Sequence, residues 1–181
     1  MARKEMISKK YVLDTTFEII KEQGFEEVTA RKLAQKLGCS TQPIFRLYAG
    51  MSDLLAEAYP IAVDYFHEYI KENQNINRLP FIDLGLSYIK FAVEEQNLFK
   101  LLFMSEYRAG KEMYDLLNSE YLFVTNDIKK ASDAGCQQSS ELFMKLWIFI
   151  HGIACMCLTG DYDLTMDETV TLLKDSYYAY F

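Results

Sequence analysis

The sequence predicts an all-α fold of about nine helices, and three observations carry that expectation. Apolar residues recur at the three-to-four spacing of amphipathic helices nearly throughout. Three prolines and eight glycines in 181 residues are too few for a sandwich or barrel built from many tight turns. Half the residues are hydrophobic and a quarter charged, which excludes a disordered chain or a collagen-like repeat. The length suits one domain, or a small module fused to a larger one.

In the first helix Val12, Leu13, Thr16, Ile19 and Ile20 share a face, and Gly24 ends it as a C′ residue. Thr29 opens a short helix with Ala30, Leu33, Ala34 and Leu37 inward, and Gly38 follows. Ser40 or Thr41 can cap a third, where Pro43 fits the first turn because its missing N–H is not needed there. Ile44, Phe45, Leu47 and Tyr48 supply its packing atoms, and Ala49-Gly50 breaks it. Ser52 caps a fourth helix reaching about Tyr69. Residues 73–78 read as a polar loop, and Pro80 precedes the next helix. Residues 81–93, 97–104 and 111–134 read as helices, the last as one piece stopped by Ala134-Gly135. A strongly apolar helix runs from Ser140 to Thr159 and closes at Gly160. Thr165-Met166-Asp167-Glu168 has the form of a capping box, and Val170, Leu173, Tyr177 and Tyr180 share one side of the final helix.

Charge divides the chain more sharply than composition does. Residues 1–50 hold nine Lys and Arg against six Asp and Glu, a net of +3. Residues 51–181 hold ten against twenty, a net of −10, and together these make the −7 of the whole. A basic head on an acidic body directs any polyanion to the N-terminus. No targeting signal is legible, so a cytoplasmic location is expected. The one candidate span, Leu142 to Leu158, contains Lys145 and His151 and reads as a buried helix, with no membrane partner. Cys39, Cys136, Cys155 and Cys157 form no disulfide framework and are expected as thiols.

Residues 29–48 describe two short helices around a Gly-containing turn, a helix-turn-helix. Small Ala34 suits a close helix crossing, and Gly38 suits the turn. Polar Thr41, Gln42 and Arg46 lie opposite Ile44 and Leu47. Gln pairs with adenine and Arg with guanine in the major groove. Arg3, Lys4, Lys9, Lys10, Arg31, Lys32 and Lys36 can neutralise phosphates, although Lys32 and Lys36 read equally well as a solvated helix face.

From about Val12 to Leu55 the chain resembles the TetR family of transcriptional regulators. The residues that carry the likeness are Glu22-Gln23-Gly24-Phe25, Val28-Thr29, Leu33-Ala34, Gly38-Cys39-Ser40, Ile44-Phe45-Arg46-Leu47-Tyr48 and Ser52-Asp53-Leu54-Leu55. Further on, Trp147-Ile148-Phe149-Ile150-His151-Gly152 is similar to a Trp…His-Gly segment of the family's eighth helix. The resemblance implies a homodimer that binds a palindromic operator on double-stranded DNA, usually as a repressor, and releases it when a small molecule fills the C-terminal domain. It implies a DNA-binding domain at 1–50 and an effector-binding and dimerisation domain at 51–181. Thr29 is then expected at a phosphate, Thr41, Gln42, Pro43 and Arg46 at bases, and Phe45 and Tyr48 against the backbone, with Arg31 and Ser40 in the same interface. Three departures stand out: Phe45 replaces a usual Tyr, Gln42 a common Gly, and Met51 a common phosphate-binding Lys. They leave open an alternative, a helical small-molecule-binding or protein-interaction module with a weakened DNA head.

In the larger domain Phe91, Phe99, Phe103, Met104, Tyr107, Tyr121, Phe143, Met144, Trp147 and His151 are candidate walls for a hydrophobic or aromatic effector, and equally candidate core. The helices at 140–159 and 165–180 are expected at the dimer interface through Trp147, Ile150, Met156, Leu158, Leu172 and Tyr177. Cys155 and Cys157 point about 200° apart on a helix, so they read as buried structural thiols and not as a metal pair. His67 has no partner legible in the sequence, and Glu94 and Glu95 read as solvated. No catalytic constellation, metal site or cofactor is legible, and an enzyme is not expected.

Overall fold

The computed structural model describes residues 7–74, 79–108, 112–118 and 120–181. Arg3 and Lys4 therefore lie outside the described residues, as does most of the expected loop at 73–78. The described residues contain ten α-helices and no strand, in keeping with the expected class. They are α1 (Lys9–Gln23), α2 (Ala30–Lys36), α3 (Gln42–Leu47), α4 (Met51–Asn73), α5 (Ile82–Glu94), α6 (Gln96–Phe99), α7 (Met113–Asn118), α8 (Phe123–Asp133), α9 (Ser139–Thr159) and α10 (Met166–Tyr180).

The chain forms two compact units, one of residues 1–65 and 97–110, the other of residues 66–96 and 111–181. In the first, Ser8 caps α1 through its side chain, and Gly24, at φ 100°, stops it. Val12, Ile19 and Ile20 from α1, Leu33 from α2, Ile44 from α3 and Leu54 and Ala58 from α4 form its fully buried centre. Residues 97–104 close this unit. The Asn97 amide donates to the Lys21 carbonyl at 3.0 Å, and the Tyr59 hydroxyl donates to the Leu102 carbonyl at 3.2 Å. Lys100–Met104 winds as a wider π-turn and not as a continuation of α6.

In the second unit α5 packs along α9, which also meets α8 and α10. Gly85 makes the closest approach: a Cβ there would stand 2.5 Å from Ile150 Cδ1. Phe81, in the left-handed region at φ 68°, is held by its N–H donating to buried Asp127 at 2.8 Å. Thr165 and Glu168 close the expected capping box at the head of α10.

Four expectations need correction. α4 begins at Met51, so Ser52 sits inside its first turn, and it runs to Asn73, past Tyr69 and through Pro60. The stretch 111–134 is two helices, because Leu122 turns left-handed at φ 51° and starts α8 anew. Cys155 and Cys157 are half-buried, and burial raises both thiols. α9 is buried on one side only. It is the one helix among the described residues long and apolar enough to cross a membrane, with mean hydropathy 1.8 and 39% of its apolar window buried.

Candidate nucleic-acid interface

The helix-turn-helix follows from local capping. Thr29 lies extended, and its hydroxyl accepts from the Lys32 N–H at 3.2 Å, so α2 starts where the chain exits its preceding turn. Gly38, at φ 65°, lets the Cys39 N–H reach back to the Ala34 carbonyl at 3.0 Å, which ends α2 and aims the chain into α3. Thr41 precedes α3, with Pro43 in its first turn, and offers no side-chain cap.

Six residues give α3 two clear faces. Ile44 and Tyr48, four apart, are 0% and 5% exposed and fasten it to the core. Gln42, Phe45 and Arg46, spaced three and four apart, all point to solvent. Phe45 is 52% exposed, and Leu47 is exposed as well. Thr29, Arg31 and Ser40 are also exposed, while Thr41 and Pro43 are half-buried. Two expectations change here. Phe45 and Leu47 are not packing atoms, and the four-residue spacing of Ile44 and Tyr48 could have shown it. Tyr48 does not stand at the surface: its hydroxyl is buried with no hydrogen-bond partner among the described residues. Burial and the nearby Glu57 carboxylate push that phenol up to about 12.

Only part of the basic charge is unclaimed. Lys9 pairs with Glu57 at 2.7 Å, and its ammonium stands 5.4 Å from the centre of the Tyr48 ring. Lys32 donates to Glu27 at 2.5 Å and Gln23 at 2.8 Å. Lys36 pairs with Glu22 at 2.9 Å and Glu18 at 3.6 Å. These lysines hold the Glu22 and Glu27 carboxyls below their ordinary range, and Glu22 in turn raises Lys36. Lys10, Arg31 and Arg46 have no carboxylate partner among the described residues. Lys32 and Lys36 therefore occupy a solvated, internally neutralised face, while Arg31 on α2 and Arg46, one turn from Gln42 on α3, carry open charge.

The effector candidates fall in both units. In the first, Phe103 is buried against Phe99, Met104 is 58% exposed and Tyr107 lies edge-on to Phe25. In the second, Phe143, Trp147 and His151 form a ladder of stacked rings along α9, with Tyr88 packed on Trp147. The Tyr88 hydroxyl lies 2.9 Å from His151 Nδ1, and Cys155 Sγ 3.6 Å from its Nε2. Phe91 is wholly buried between Phe66 and Tyr69. Tyr121 donates to Glu68 and stacks on Phe123. His67, read without a partner, donates from Nε2 to the Leu116 carbonyl at 2.6 Å. Glu94 is exposed but accepts from the Tyr69 hydroxyl at 2.5 Å.

Of the residues expected at a dimer interface, Ile150 and Tyr177 are 2% exposed and spent inside the unit's own core. Met156 is 43% exposed, and Leu158 and Leu172 are half-buried. Outward apolar side chains on α9 that were not expected at the interface include Ile148 at 64% and Phe149 at 38%.

Residues 12–58 match the family model of bacterial regulatory proteins, tetR family. Seven solved chains match the fold. Among them is a transcriptional regulator TetR family protein from Vibrio parahaemolyticus, with TM-score 0.66 at 17% identity, covering 94% of this chain and 97% of that one. No curated protein matches.

Proposed function

We propose that this chain, whose residues 12–58 match the tetR-family model, is a DNA-binding transcriptional regulator of that family, a homodimeric repressor that a small molecule releases from a palindromic operator. The observation that carries the reading is the outward stripe of Gln42, Phe45 and Arg46 on α3, together with the exposed Arg31 on α2. Gln42 and Arg46 offer the amide and guanidinium that match adenine and guanine edges, while Thr29, Arg31 and Ser40 face the phosphates. We assign residues 1–50 to the operator and 51–181 to effector binding and dimerisation, with the protein acting in the cytoplasm.

Two copies must hold their α3 helices about one DNA turn apart, near 34–36 Å. An effector that prefers a different spacing shifts the population away from the DNA-competent form. The apolar side chains that α9 turns outward, Ile148, Phe149 and Met156, support a dimer face. The ladder of Phe143, Trp147 and His151 beside Tyr88 supports an aromatic or hydrophobic effector. α4 is the proposed hinge, since it is one continuous helix from Met51 to Asn73.

Selection from a random duplex library with the purified full chain tests the reading. It should enrich an inverted repeat whose half-site centres lie about 10 base pairs apart, or a multiple of that. Failure to enrich any sequence would remove it. The exposed Phe45, Met51 and the internally neutralised Lys32 and Lys36 favour the second reading, a small-molecule module with a weakened head. That reading predicts salt-sensitive DNA binding with no sequence preference.

A further inference from the structure

A cleft of about 440 Å³ opens within the first unit, where residues 25–28, the first turns of α4 and residues 105–107 meet. Its floor is apolar: Val28 and Leu55 are 5% and 4% exposed. Two aromatic rings, Phe25 and Tyr107, stand in it edge to face, with centroids 5.7 Å apart and planes at 77°. Two carboxylates, Glu26 and Glu106, stand exposed at its rim. Neither has a cation partner among the described side chains, in contrast to Glu22 and Glu27 nearby, which hold Lys36 and Lys32.

The chemistry of that lining is selective. Aromatic faces attract cations, and uncompensated carboxylates attract them further. An apolar floor favours a cation that carries hydrocarbon over a hydrated metal ion, whose water shell finds too few ligands there. The volume falls in the range of small-molecule sites. We propose that this cleft binds a small organic ammonium ion, with Phe25 and Tyr107 against its methyl or methylene groups and Glu26 and Glu106 balancing its charge. The site is separate from the ring ladder on α9 and does not depend on the effector reading above.

Its position also gives the ligand a route to the DNA head. Val28 directly precedes Thr29, the cap of α2, and the first turn of α4 follows three residues after α3 ends. A bound cation ties both connections to Tyr107.

Calorimetric titration of the full chain with benzyltrimethylammonium tests the proposal. Saturable one-site binding is expected with a Kd below about 1 mM, while neutral benzyl alcohol and Mg²⁺ give none. The E26Q/E106Q variant should bind at least about tenfold more weakly and Phe25→Leu about threefold more weakly, while Glu72→Gln, an exposed carboxylate elsewhere, matches the wild type. Melting curves check that each variant is folded, and E26Q and E106Q singly serve if the pair is not. The proposal is overturned if the ammonium ion shows no saturation by about 10 mM, if benzyl alcohol or Mg²⁺ binds equally well, or if E26Q/E106Q leaves the affinity unchanged.

Discussion

Replacing Arg31 by Ala should make DNA binding measurably less sensitive to salt. Arg31 is exposed in the first turn of α2, with no carboxylate partner among the described residues. Lys36, at the other end of the same helix, is already shared between Glu22 at 2.9 Å and Glu18 at 3.6 Å. Each phosphate neutralised on B-DNA contributes about −0.9 to the slope of log K against log salt, through counterion release. Two copies of Arg31 in a dimer therefore contribute about 1.8 to that slope. Between about 50 and 200 mM salt, the wild type should lose about twelvefold more affinity than Arg31→Ala. Lys36→Ala should flatten the slope by less than half as much, because its charge is neutralised before DNA arrives. Fluorescence anisotropy on a labelled operator duplex across a salt series reads both slopes. Parallel lines for wild type and Arg31→Ala, or equal flattening by both variants, would refute the assignment of open and spent charge.

Tyr48→Phe removes a buried hydroxyl that meets no hydrogen-bond partner in good geometry among the described residues and stands near the Glu57 carboxylate, so it should change stability by no more than about 1 kcal/mol. Its pH dependence is a second readout. An unfolded Tyr ionises near 10 while the folded one stays protonated to about 12, so wild-type stability falls through that window relative to Tyr48→Phe. Gly85→Ala should cost about 1–3 kcal/mol, because its Cβ meets Ile150 Cδ1 at 2.5 Å and Cγ1 at 2.9 Å. Adding Ile150→Val should return part of that loss in thermal melts, and simple additivity of the two would contradict the contact. Ile148→Glu puts a charge where α9 turns a 64% exposed apolar side chain outward, and should weaken self-association at least about tenfold in sedimentation. A wild-type chain that sediments as a monomer at micromolar concentration would contradict the dimer itself.

The head was legible because its signals are local. Gly24, Thr29, Gly38 and Pro43 act on their nearest neighbours, and each stands where capping geometry requires it. The capping box at Thr165 is legible for the same reason. The break at Leu122 is not, since no Gly or Pro marks it and a leucine in the left-handed region is uncommon. Nor is the pairing of Lys36 with Glu22, fourteen residues away and on another helix. The exposure of Phe45 and Leu47 was within reach. A six-residue helix has room for few inward side chains, and Ile44 with Tyr48, which ends the helix, are the buried ones. In the body the aromatic side chains alone did not separate wall from core. That separation depends on how helices far apart in sequence meet, as Phe91 against Phe66 and Trp147 against Tyr88 illustrate.

The central claim is that α3 reads base edges, and the most direct measurement compares specific with non-specific affinity in one chain. Gln42→Ala and Arg46→Ala should each lose about 1–3 kcal/mol of preference for the selected operator over a scrambled duplex at fixed salt. Affinity for the scrambled duplex should change far less. If both duplexes weakened by the same factor, these side chains would be holding phosphate and not reading sequence, and the account of α3 would fail.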